Sequence, residues 1–391
     1  MRNNLSAVGD NLSKILILDF SGRGGISHYI FCLSNALAQA GAHVRLLTTT
    51  DFELENQPVK CAYEKMFFPH RRRVSFLGKG LVYACSLARL VWVFRREGPS
   101  LIHFHETKLP WIEKKILQHL KKKNVRLVLT AHDVLHPERQ KASKSLENLY
   151  RAFDHIIVHA EENRQALLKQ FNLDNTKIRI IPHGEYAFLA TAQINQNLAK
   201  QQLGIPMVKQ VVLFFGYIRQ YKGLQILIEA LATARATIPN LFLLIVGEAK
   251  ENFKIYQNLI EQNNLQDHVH KILEYVPIEK VPIYFSAADV VALPYISIYQ
   301  SGVVQLAYAH RRAVIATTVG GLPEVVQDRR TGYLVPPNSP GKFADAICTA
   351  FADMDRLKRM GEDAHRTAKE KYSWTEIAKQ TVEIYSELLS K

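Results

Sequence analysis

The sequence predicts an α/β protein made of two doubly wound domains. Short apolar runs rich in β-branched residues recur along the chain, with helical stretches between them. These runs are apolar on both faces, which is typical of parallel strands covered by helices on both sides. A polar stretch near residues 187–205 contains no such run and divides the series in two. The length of 391 residues also suits about two domains.

The predicted strands form two series, from which we place the domain boundaries. The first series lies at residues 14–20, 43–49, 101–105, 126–132, 155–160 and 178–184, and the second at 211–217, 241–247, 270–276, 290–296 and 313–318. We therefore predict an N-terminal domain over residues 1–187 and a C-terminal domain over residues 195–374.

The net charge of +14 is concentrated in the first half of the chain. Residues 1–190 contain 28 Lys and Arg against 17 Asp and Glu, whereas residues 191–391 contain 22 against 19. A basic half could meet an anionic membrane, a nucleic acid or an acidic substrate. Nucleic acid is disfavoured, because no basic stretch is interleaved with aromatic residues at stacking spacing.

The cysteines and the N-terminus indicate a cytoplasmic protein. Cys32, Cys61, Cys85 and Cys348 are scattered without paired spacing, which argues against a zinc site and a disulfide framework and fits a reducing compartment. The first 14 residues have no long apolar core, so we expect no signal peptide.

A glycine turn follows the first predicted strand. Gly22, Gly24 and Gly25 precede a helical stretch, and such a turn can bring backbone N–H groups close to a phosphate or a sugar. The dinucleotide fingerprint requires a third glycine where Ser27 stands, so an NAD site is disfavoured. A tight turn that binds no ligand remains the alternative.

Two cations follow the first strand of the second half, in the motif GYIRQYKG. Arg219 and Lys222 precede a helix that Gly223 allows to begin tightly. A diphosphate at this point would meet a guanidinium group, an ammonium group and a helix N-terminus. Fixed cations of this kind can stabilise a leaving diphosphate without a metal ion. The alternative is a solvated loop, where Arg and Lys are common.

A third strand-to-helix turn contains Ser301 and Gly302, which open the apolar helical stretch 303–309. A strand follows at 313–318, and Glu324 then precedes a turn and a short strand. Since ligands of doubly wound sheets bind beyond the carboxyl ends of the strands, the three turns together indicate an anionic ligand.

The motifs RGGISHY, TAHD, GYIRQYKG, YQSGVVQLAYA and VGGLPEVV…TGYLVPP resemble those of retaining glycosyltransferases of family 4, which have the GT-B fold. The resemblance implies two Rossmann-like domains facing a cleft, with the last helix, 375–391, returning to the first domain. It implies a UDP- or GDP-linked sugar donor on the second domain and an acceptor on the first. It also implies a front-face reaction that retains the anomeric configuration and needs no metal or cofactor.

The resemblance assigns roles to residues in both halves. Gly24 and Gly25 match the glycine turn that faces the donor phosphates or sugar. His132, in TAHD, matches a histidine that contacts the donor sugar near the reaction centre. Arg219 and Lys222 match the cations that bind the diphosphate.

Further donor contacts are implied in the second half. Val276 lies in the segment whose backbone meets the nucleobase. Ser301, Gly302 and Val303 match the turn and the helix N-terminus beneath the phosphates.

The sequence departs from the family at two positions. Many members carry two glutamates, eight positions apart, that contact the donor sugar and the ribose, and these positions align with Ile298 and Leu306. Either the sugar and the ribose are contacted by Gln300, Ser301 or Gln305 instead, or donor binding is weakened.

A basic segment over residues 71–97 suggests that the protein binds a membrane surface. Its apolar part, 81–94, is too short to span a bilayer and is interrupted by Arg89. A stripe of Arg89, Trp92 and Arg96, with a second basic helix at 111–123, could lie on an anionic membrane. This suits a lipid-linked or saccharide acceptor at the cytoplasmic face, as in polysaccharide or glycolipid assembly. Two ordinary helices covering the sheet are the alternative.

Three classes of function remain open. The first is a nucleotide-sugar-dependent transferase. The second is a GT-B enzyme of another reaction, such as an epimerase or a phosphorylase. An epimerase would need an acid–base pair, and the first-domain candidates for it lie near residues 103–108 and 131–133. The third is a non-catalytic subunit that has lost donor binding. The DMD motif at 353–355 resembles a metal-binding motif of other transferases, but its polar helical context favours a solvated face.

Overall fold

The computed structural model describes residues 14–68, 76–135, 143–190 and 194–390. Residues 1–13, on which the signal-peptide expectation rests, lie outside the described residues, as do residues 71–75 of the basic segment. The chain divides into unit 1, which contains residues 1–184 and 373–391, and unit 2, which contains residues 185–372.

Unit 1 contains a seven-stranded parallel sheet. Its spatial order, β3-β2-β1-β4-β5-β6-β7, reverses between β1 and β4, the point where doubly wound sheets bind ligands. The strands are β1 (Ile15–Leu18), β2 (Val44–Thr49), β3 (Ala62–Phe67), β4 (Leu101–Phe104), β5 (Arg126–Thr130), β6 (His155–Val158) and β7 (Ile178–Ile180). The helices are α1 (Gly24–Gln39), α2 (Phe76–Glu97), α3 (Pro110–Lys121), α4 (Lys144–Ala152) and α5 (Glu161–Gln170).

Unit 2 repeats this plan with six parallel strands in the order β10-β9-β8-β11-β12-β13, which reverses between β8 and β11. The strands are β8 (Gln210–Phe215), β9 (Leu241–Val246), β10 (Val269–Ile272), β11 (Val290–Leu293), β12 (Ala313–Thr317) and β13 (Gly332–Val335). The helices are α6 (Gln196–Gln202), α7 (Leu224–Ala234), α8 (Lys254–Gln262), α9 (Val281–Ala287), α10 (Gly302–Ala309), α11 (Leu322–Val325), α12 (Pro340–Ala352) and α13 (Met354–Lys371). The continuous apolar runs follow from this plan, because every residue of β9 and of β11 is buried.

The last helix, α14 (Trp374–Leu389), packs against α1 in unit 1. The Tyr385 hydroxyl lies 2.6 Å from Nδ1 of His103 on β4, and both residues are fully buried. The Trp374 ring packs edge-on against Tyr29, with 5.2 Å between ring centroids. A Cβ atom at Gly184 would lie 2.4 Å from that indole, so this contact requires glycine.

The predicted fold class is therefore confirmed, including the return of the C-terminal helix to the first unit. The edge strand β3, at Ala62–Phe67, is not among the strands predicted from the sequence. Four of its six residues are not buried, so its sequence lacks the apolar run that identified the other strands. An edge strand with one partner needs fewer apolar side chains than a central strand.

We predict that Tyr385→Phe destabilises unit 1. The change leaves Nδ1 of His103 buried without its partner, which should lower the free energy of unfolding by about 1–3 kcal/mol. Urea denaturation measures this. Tyr63→Phe is the control, because Tyr63 is 37% exposed on β3. Equal stabilities of the two variants would contradict the role given to the Tyr385 hydroxyl.

Candidate functional site

In unit 2 the predicted cations follow β8, at the point where the strand order reverses. Arg219 is partly exposed and begins a single helical turn over Gln220–Lys222. The Nζ atom of Lys222 donates a hydrogen bond to the Tyr295 hydroxyl at 3.2 Å, and it lies 4.7 Å from the centroid of that ring. Gly223 has φ of 68°, and a Cβ there would lie 1.9 Å from the Pro294 oxygen. Glycine thus allows the turn after β8 to approach the chain that leaves β11.

Tyr295 joins two of the predicted motifs. Its hydroxyl lies 3.1 Å from Oγ of Ser301, which in turn accepts a hydrogen bond from the backbone N–H of Val303. Ser301 is thereby the N-cap of α10, whose first residue is the half-buried Gly302. Tyr295 is not among the site residues predicted from the sequence. Its position directly after β11, beside β8, was the available signal.

Gly216 lies next to both Lys222 and Val303. A Cβ atom at Gly216 would lie 3.5 Å from Nζ of Lys222 and 3.8 Å from a methyl group of Val303. The turn that carries Arg219 and Lys222, which we call the cation turn, therefore lies close to the first turn of α10. Because an N-cap and an ammonium group both favour anions, this arrangement can hold a negatively charged ligand.

The predicted nucleobase segment lies beside the cation turn. Val276 is half-buried in the loop after β10. The ring of its neighbour Tyr275 has its centroid 6.5 Å from that of Tyr217, which follows β8. Lys250 lies 4.5 Å from the Tyr217 ring centroid and 2.9 Å from the Glu248 carboxylate. The loops after β8, β9 and β10 thus meet at one edge of the sheet.

Gln305 and the two replaced glutamate positions are buried. Within the described part of the chain, neither amide atom of the fully buried Gln305 has a hydrogen-bond partner. Ile298 is 7% exposed and Leu306 is 8% exposed. The two positions that align with glutamates in many members of the family that the sequence resembles therefore present apolar side chains, while an unsatisfied amide lies next to Leu306 in the sequence of α10.

In unit 1 a buried carboxylate shapes the glycine turn. Asp19 accepts hydrogen bonds from the backbone N–H of Gly22 at 3.0 Å, from Ser27 Oγ at 2.8 Å and from Thr48 Oγ1 at 2.9 Å. Burial raises the pKa of this carboxyl group. The four-way contact between β1, the turn, α1 and β2 fixes the backbone that precedes Gly24.

The N-terminus of α1 already contacts an anionic group. The backbone N–H of Gly24 donates to a Glu53 carboxylate oxygen at 3.1 Å, and His28 Nε2 lies 3.0 Å from the same oxygen. A carboxylate here stabilises the helix and repels a phosphate. By contrast, a Cβ at Gly25 would meet nothing within 4 Å. Glu53 is distant in sequence, so only the fold could reveal this contact.

Four consecutive strands of unit 1 are each followed by a histidine near their carboxyl ends. We call these four residues the histidine row: His105 after β4, His132 after β5, His159 after β6 and His183 after β7. Of these four residues, only His132 is a site residue predicted from the sequence. The repeated histidine at the ends of successive predicted strands was a signal for the whole row.

Hydrogen bonds connect three members of the row. Nδ1 of His105 lies 3.4 Å from Nε2 of His132, and Nδ1 of His132 lies 3.1 Å from Nε2 of His159. His159 Nδ1 lies 2.9 Å from the backbone oxygen of Ile181. The Tyr29 ring packs edge-on against His132, with 4.8 Å between centroids.

Burial keeps these imidazoles neutral at pH 7. It lowers the pKa of His159 to about 4 and that of His183 to about 3. For His105 and His132, burial and the neighbouring rings hold the pKa well below its usual value. Among the described residues no group of three or more His, Cys, Asp or Glu could hold a metal ion. The row therefore offers neutral hydrogen-bonding groups rather than charge.

Both units match known protein families. Residues 23–184 match the model described as Glycosyltransferase Family 4, and residues 195–367 match Glycosyl transferases group 1. D-inositol 3-phosphate glycosyltransferase of Corynebacterium efficiens is 27% identical over 397 residues, which cover 93% of this chain and 90% of that protein. These matches support a GT-B glycosyltransferase.

Two further comparisons agree with this glycosyltransferase family. Alpha-maltose-1-phosphate synthase of Mycolicibacterium smegmatis is 29% identical over 284 residues, which cover 66% of this chain and 72% of that protein. The crystal structure of Anabaena HepE in complex with UDP-glucose aligns with a TM-score of 0.77 and 22% identity, over 96% of this chain and 99% of that one. This last similarity establishes the GT-B fold.

Helix α2 buries one face and exposes the predicted basic stripe. Trp92 is 55% exposed, and the guanidinium group of Arg96 lies 5.4 Å from its ring centroid. Arg89 donates to the backbone oxygen of Met66 and lies 3.9 Å from the Phe68 ring centroid. In the described ranges, no helix combines the length and the apolar character needed to cross a bilayer.

The DMD motif has a structural role. Asp353 is the N-cap of α13, and its side chain accepts a hydrogen bond from the backbone N–H of Arg356 at 2.8 Å. Asp355 lies in the first turn of the same helix, where a negative charge stabilises the helix dipole.

We predict that the histidine row makes the folded protein sensitive to acid. The row is neutral when folded, whereas unfolded histidines titrate at about pH 6.5, so below this pH the unfolded state binds more protons. The free energy of unfolding should therefore fall as the pH falls, by about 1.4 kcal/mol per pH unit for each such histidine, until the native histidines themselves titrate. Buried carboxyl groups with raised pKa values, such as Asp19, act in the opposite sense.

Comparing a variant with its parent isolates one histidine. His183→Asn preserves a donor for the Gly184 oxygen, 2.8 Å from Nδ1. It should reduce the loss of stability between about pH 7 and about pH 5 by about 2 kcal/mol, as measured by urea denaturation. His43→Asn, at an exposed residue, is the control. An unchanged pH dependence in His183→Asn would show that His183 is not held neutral.

Proposed function

We propose that this protein is a retaining, metal-independent glycosyltransferase of family 4 that transfers a sugar from a UDP- or GDP-linked donor to an acceptor hydroxyl group. The observation that carries the proposal is the cluster in unit 2. There Lys222, Tyr295 and Ser301 form a continuous hydrogen-bonded chain from the cation turn to the N-terminus of α10.

The donor diphosphate is assigned to this cluster. A diphosphate beyond β8 and β11 would contact the ammonium group of Lys222, the guanidinium group of Arg219 and the N-terminus of α10. These groups can stabilise the negative charge that develops on the leaving phosphate, and they are in place before the reaction. Glu53 disfavours the glycine turn of unit 1 as a second diphosphate site, since its carboxylate contacts the Gly24 N–H.

In a front-face reaction the protein itself need not accept the proton of the acceptor hydroxyl group. The leaving phosphate accepts the proton of the acceptor hydroxyl, and the protein positions the reactants and stabilises charge. A neutral His132 suits this scheme, because it can form a hydrogen bond to a sugar hydroxyl without attracting the diphosphate. The complex of HepE with UDP-glucose, a protein of the same fold, supports a nucleotide-sugar donor.

The acceptor is assigned to unit 1 and to a cytoplasmic membrane surface. The exposed face of α2 carries Trp92 and Arg96, and Trp111 on α3 is 62% exposed. Amphipathic helices with Trp and basic side chains bind the interface of anionic membranes. We propose peripheral attachment there, with a lipid-linked or saccharide acceptor used in polysaccharide or glycolipid assembly.

A non-catalytic subunit is the second candidate, because the side chains of Ile298 and Leu306 cannot accept a hydrogen bond where many members of family 4 have glutamates. The two candidates differ in donor binding. A transferase binds nucleotide sugars and hydrolyses them slowly without an acceptor, whereas a subunit that has lost its donor site does neither. Calorimetry with UDP-glucose, UDP-N-acetylglucosamine and GDP-mannose separates them.

We predict that Arg219→Ala and Lys222→Ala each weaken nucleotide binding. Loss of one charge-assisted hydrogen bond should cost about 1.5–3 kcal/mol, so the dissociation constant for UDP or GDP should rise about ten- to a hundredfold. EDTA is present throughout, because the proposal requires no metal. Lys280→Ala, at an exposed residue of unit 2, is the control. If the double variant binds both nucleotides as the parent does, the diphosphate assignment is wrong.

We predict that the protein binds vesicles only when they contain anionic lipid. Each basic side chain near such a surface contributes about 1 kcal/mol, and salt screens the attraction, so binding should fall steeply as salt is raised. The double substitution Trp92→Ser with Arg96→Ser should release the protein and leave nucleotide binding unchanged. Arg89 is spared, since it contacts the Met66 oxygen and the Phe68 ring.

Val208→Ser is the control for this membrane experiment, because Val208 is a 70% exposed apolar residue of unit 2. Cosedimentation with phosphatidylglycerol and phosphatidylcholine vesicles measures the effect. Equal binding to both lipids, or binding to neither, would exclude electrostatic attachment and favour a soluble acceptor.

A further inference from the structure

The hydrogen bonds of the histidine row have one direction, which a backbone carbonyl sets. The Ile181 oxygen can only accept a hydrogen bond, so Nδ1 of His159, 2.9 Å away, carries a proton. His159 is neutral, because burial lowers its pKa to about 4, and its Nε2 therefore keeps a lone pair. That lone pair lies 3.1 Å from Nδ1 of His132, which must donate to it.

The tautomer of His132 follows from this contact. Its single imidazole proton is on Nδ1, so its Nε2 is an acceptor. Nδ1 of His105 lies 3.4 Å from that Nε2, at the long end of hydrogen-bond distances, so this lone pair is only weakly used. The chain ends at a carbonyl oxygen, which cannot take up a proton. It therefore orients His132 and does not relay protons.

We propose that His159 is a positioning residue that holds His132 in the Nδ1–H tautomer, so that Nε2 of His132 accepts a hydrogen bond from a hydroxyl group of the bound ligand. His132 is the partly exposed member of the row, whereas His105, His159 and His183 are 2%, 5% and 6% exposed. His132 is therefore the member of the row that is most accessible to a ligand.

The tautomer determines which ligand group His132 prefers. A lone pair at Nε2 attracts a hydroxyl group and repels a phosphate oxygen, whereas the other tautomer would donate to phosphate. This inference rests on the proposed function, in which the hydroxyl group belongs to the sugar. His159 would thus help to keep the diphosphate away from unit 1, in the same sense as the Glu53 carboxylate.

Nuclear magnetic resonance tests the tautomer directly and needs no activity. In protein labelled with ¹⁵N-histidine, two-bond ¹H–¹⁵N correlations distinguish the tautomers, and we expect Nδ1–H at His132 and at His159. His159→Leu removes the acceptor and should shift His132 towards Nε2–H. His159→Gln provides a carboxamide oxygen near the former Nε2 and should keep Nδ1–H. An Nε2–H tautomer at His132 in the parent would overturn the proposal, even if His159→Leu does not fold.

Kinetics distinguish positioning from simple structural support. Hydrolysis of the nucleotide sugar that binds should show kcat about a hundredfold lower in His159→Leu, because the sugar is misplaced, with recovery in His159→Gln. The dissociation constant for the free nucleotide should not change, since unit 2 holds the diphosphate. His43→Asn is the control.

Two kinetic results would overturn the inference: an unchanged kcat in a His159→Leu protein whose His132 tautomer has shifted, or no recovery in a folded His159→Gln protein. Failure of the proposed function would look different. In that case substitution of Arg219 and Lys222 would not change nucleotide binding. The ¹⁵N resonances would still show the tautomer of His132.

Discussion

The parallel arrangement of the strands is the constraint on which both candidate sites depend. Parallel neighbours bring their carboxyl ends to one edge of the sheet, so residues from distant parts of the chain meet there. In unit 2 this edge joins Lys222, which follows β8, to Tyr295 and Ser301, which follow β11. In unit 1 it aligns one histidine from each of four strands. Close backbone approaches complete the arrangement, as at Gly223, where a Cβ would collide with the Pro294 oxygen.

The two units offer opposite kinds of chemistry at these edges. Unit 2 presents an ammonium group, a guanidinium group and a capped helix N-terminus, which together favour an anion. Unit 1 presents neutral imidazoles, and the N-terminus of α1 contacts the Glu53 carboxylate. Unit 2 therefore favours anionic groups, whereas unit 1 offers neutral hydrogen-bonding groups.

The histidine row stabilises unit 1 only at pH values where its imidazoles are neutral. Burial keeps the rings neutral and lets them pair through N–H···N contacts, which two positively charged rings could not do. Protonation would cost stability, because a charged imidazole would be buried beside its neighbours. The anchoring of α14 through Tyr385 and His103 belongs to the same buried region, so the C-terminal helix shares this dependence.

The sequence by itself determined the two-unit α/β plan, the approximate positions of most strands and the three turns that carry the candidate ligand contacts. It could do so because buried parallel strands need continuous apolar runs and tight turns need glycine, and both are local patterns. β3 was not predicted, because a half-exposed edge strand lacks the continuous apolar run. Tertiary structure alone decided that Tyr295 links Lys222 to Ser301, that Glu53 contacts the Gly24 N–H, and that the Ile181 carbonyl sets the direction of the histidine row. These contacts join residues far apart in the chain, and they depend on strand order and register, which no local pattern encodes.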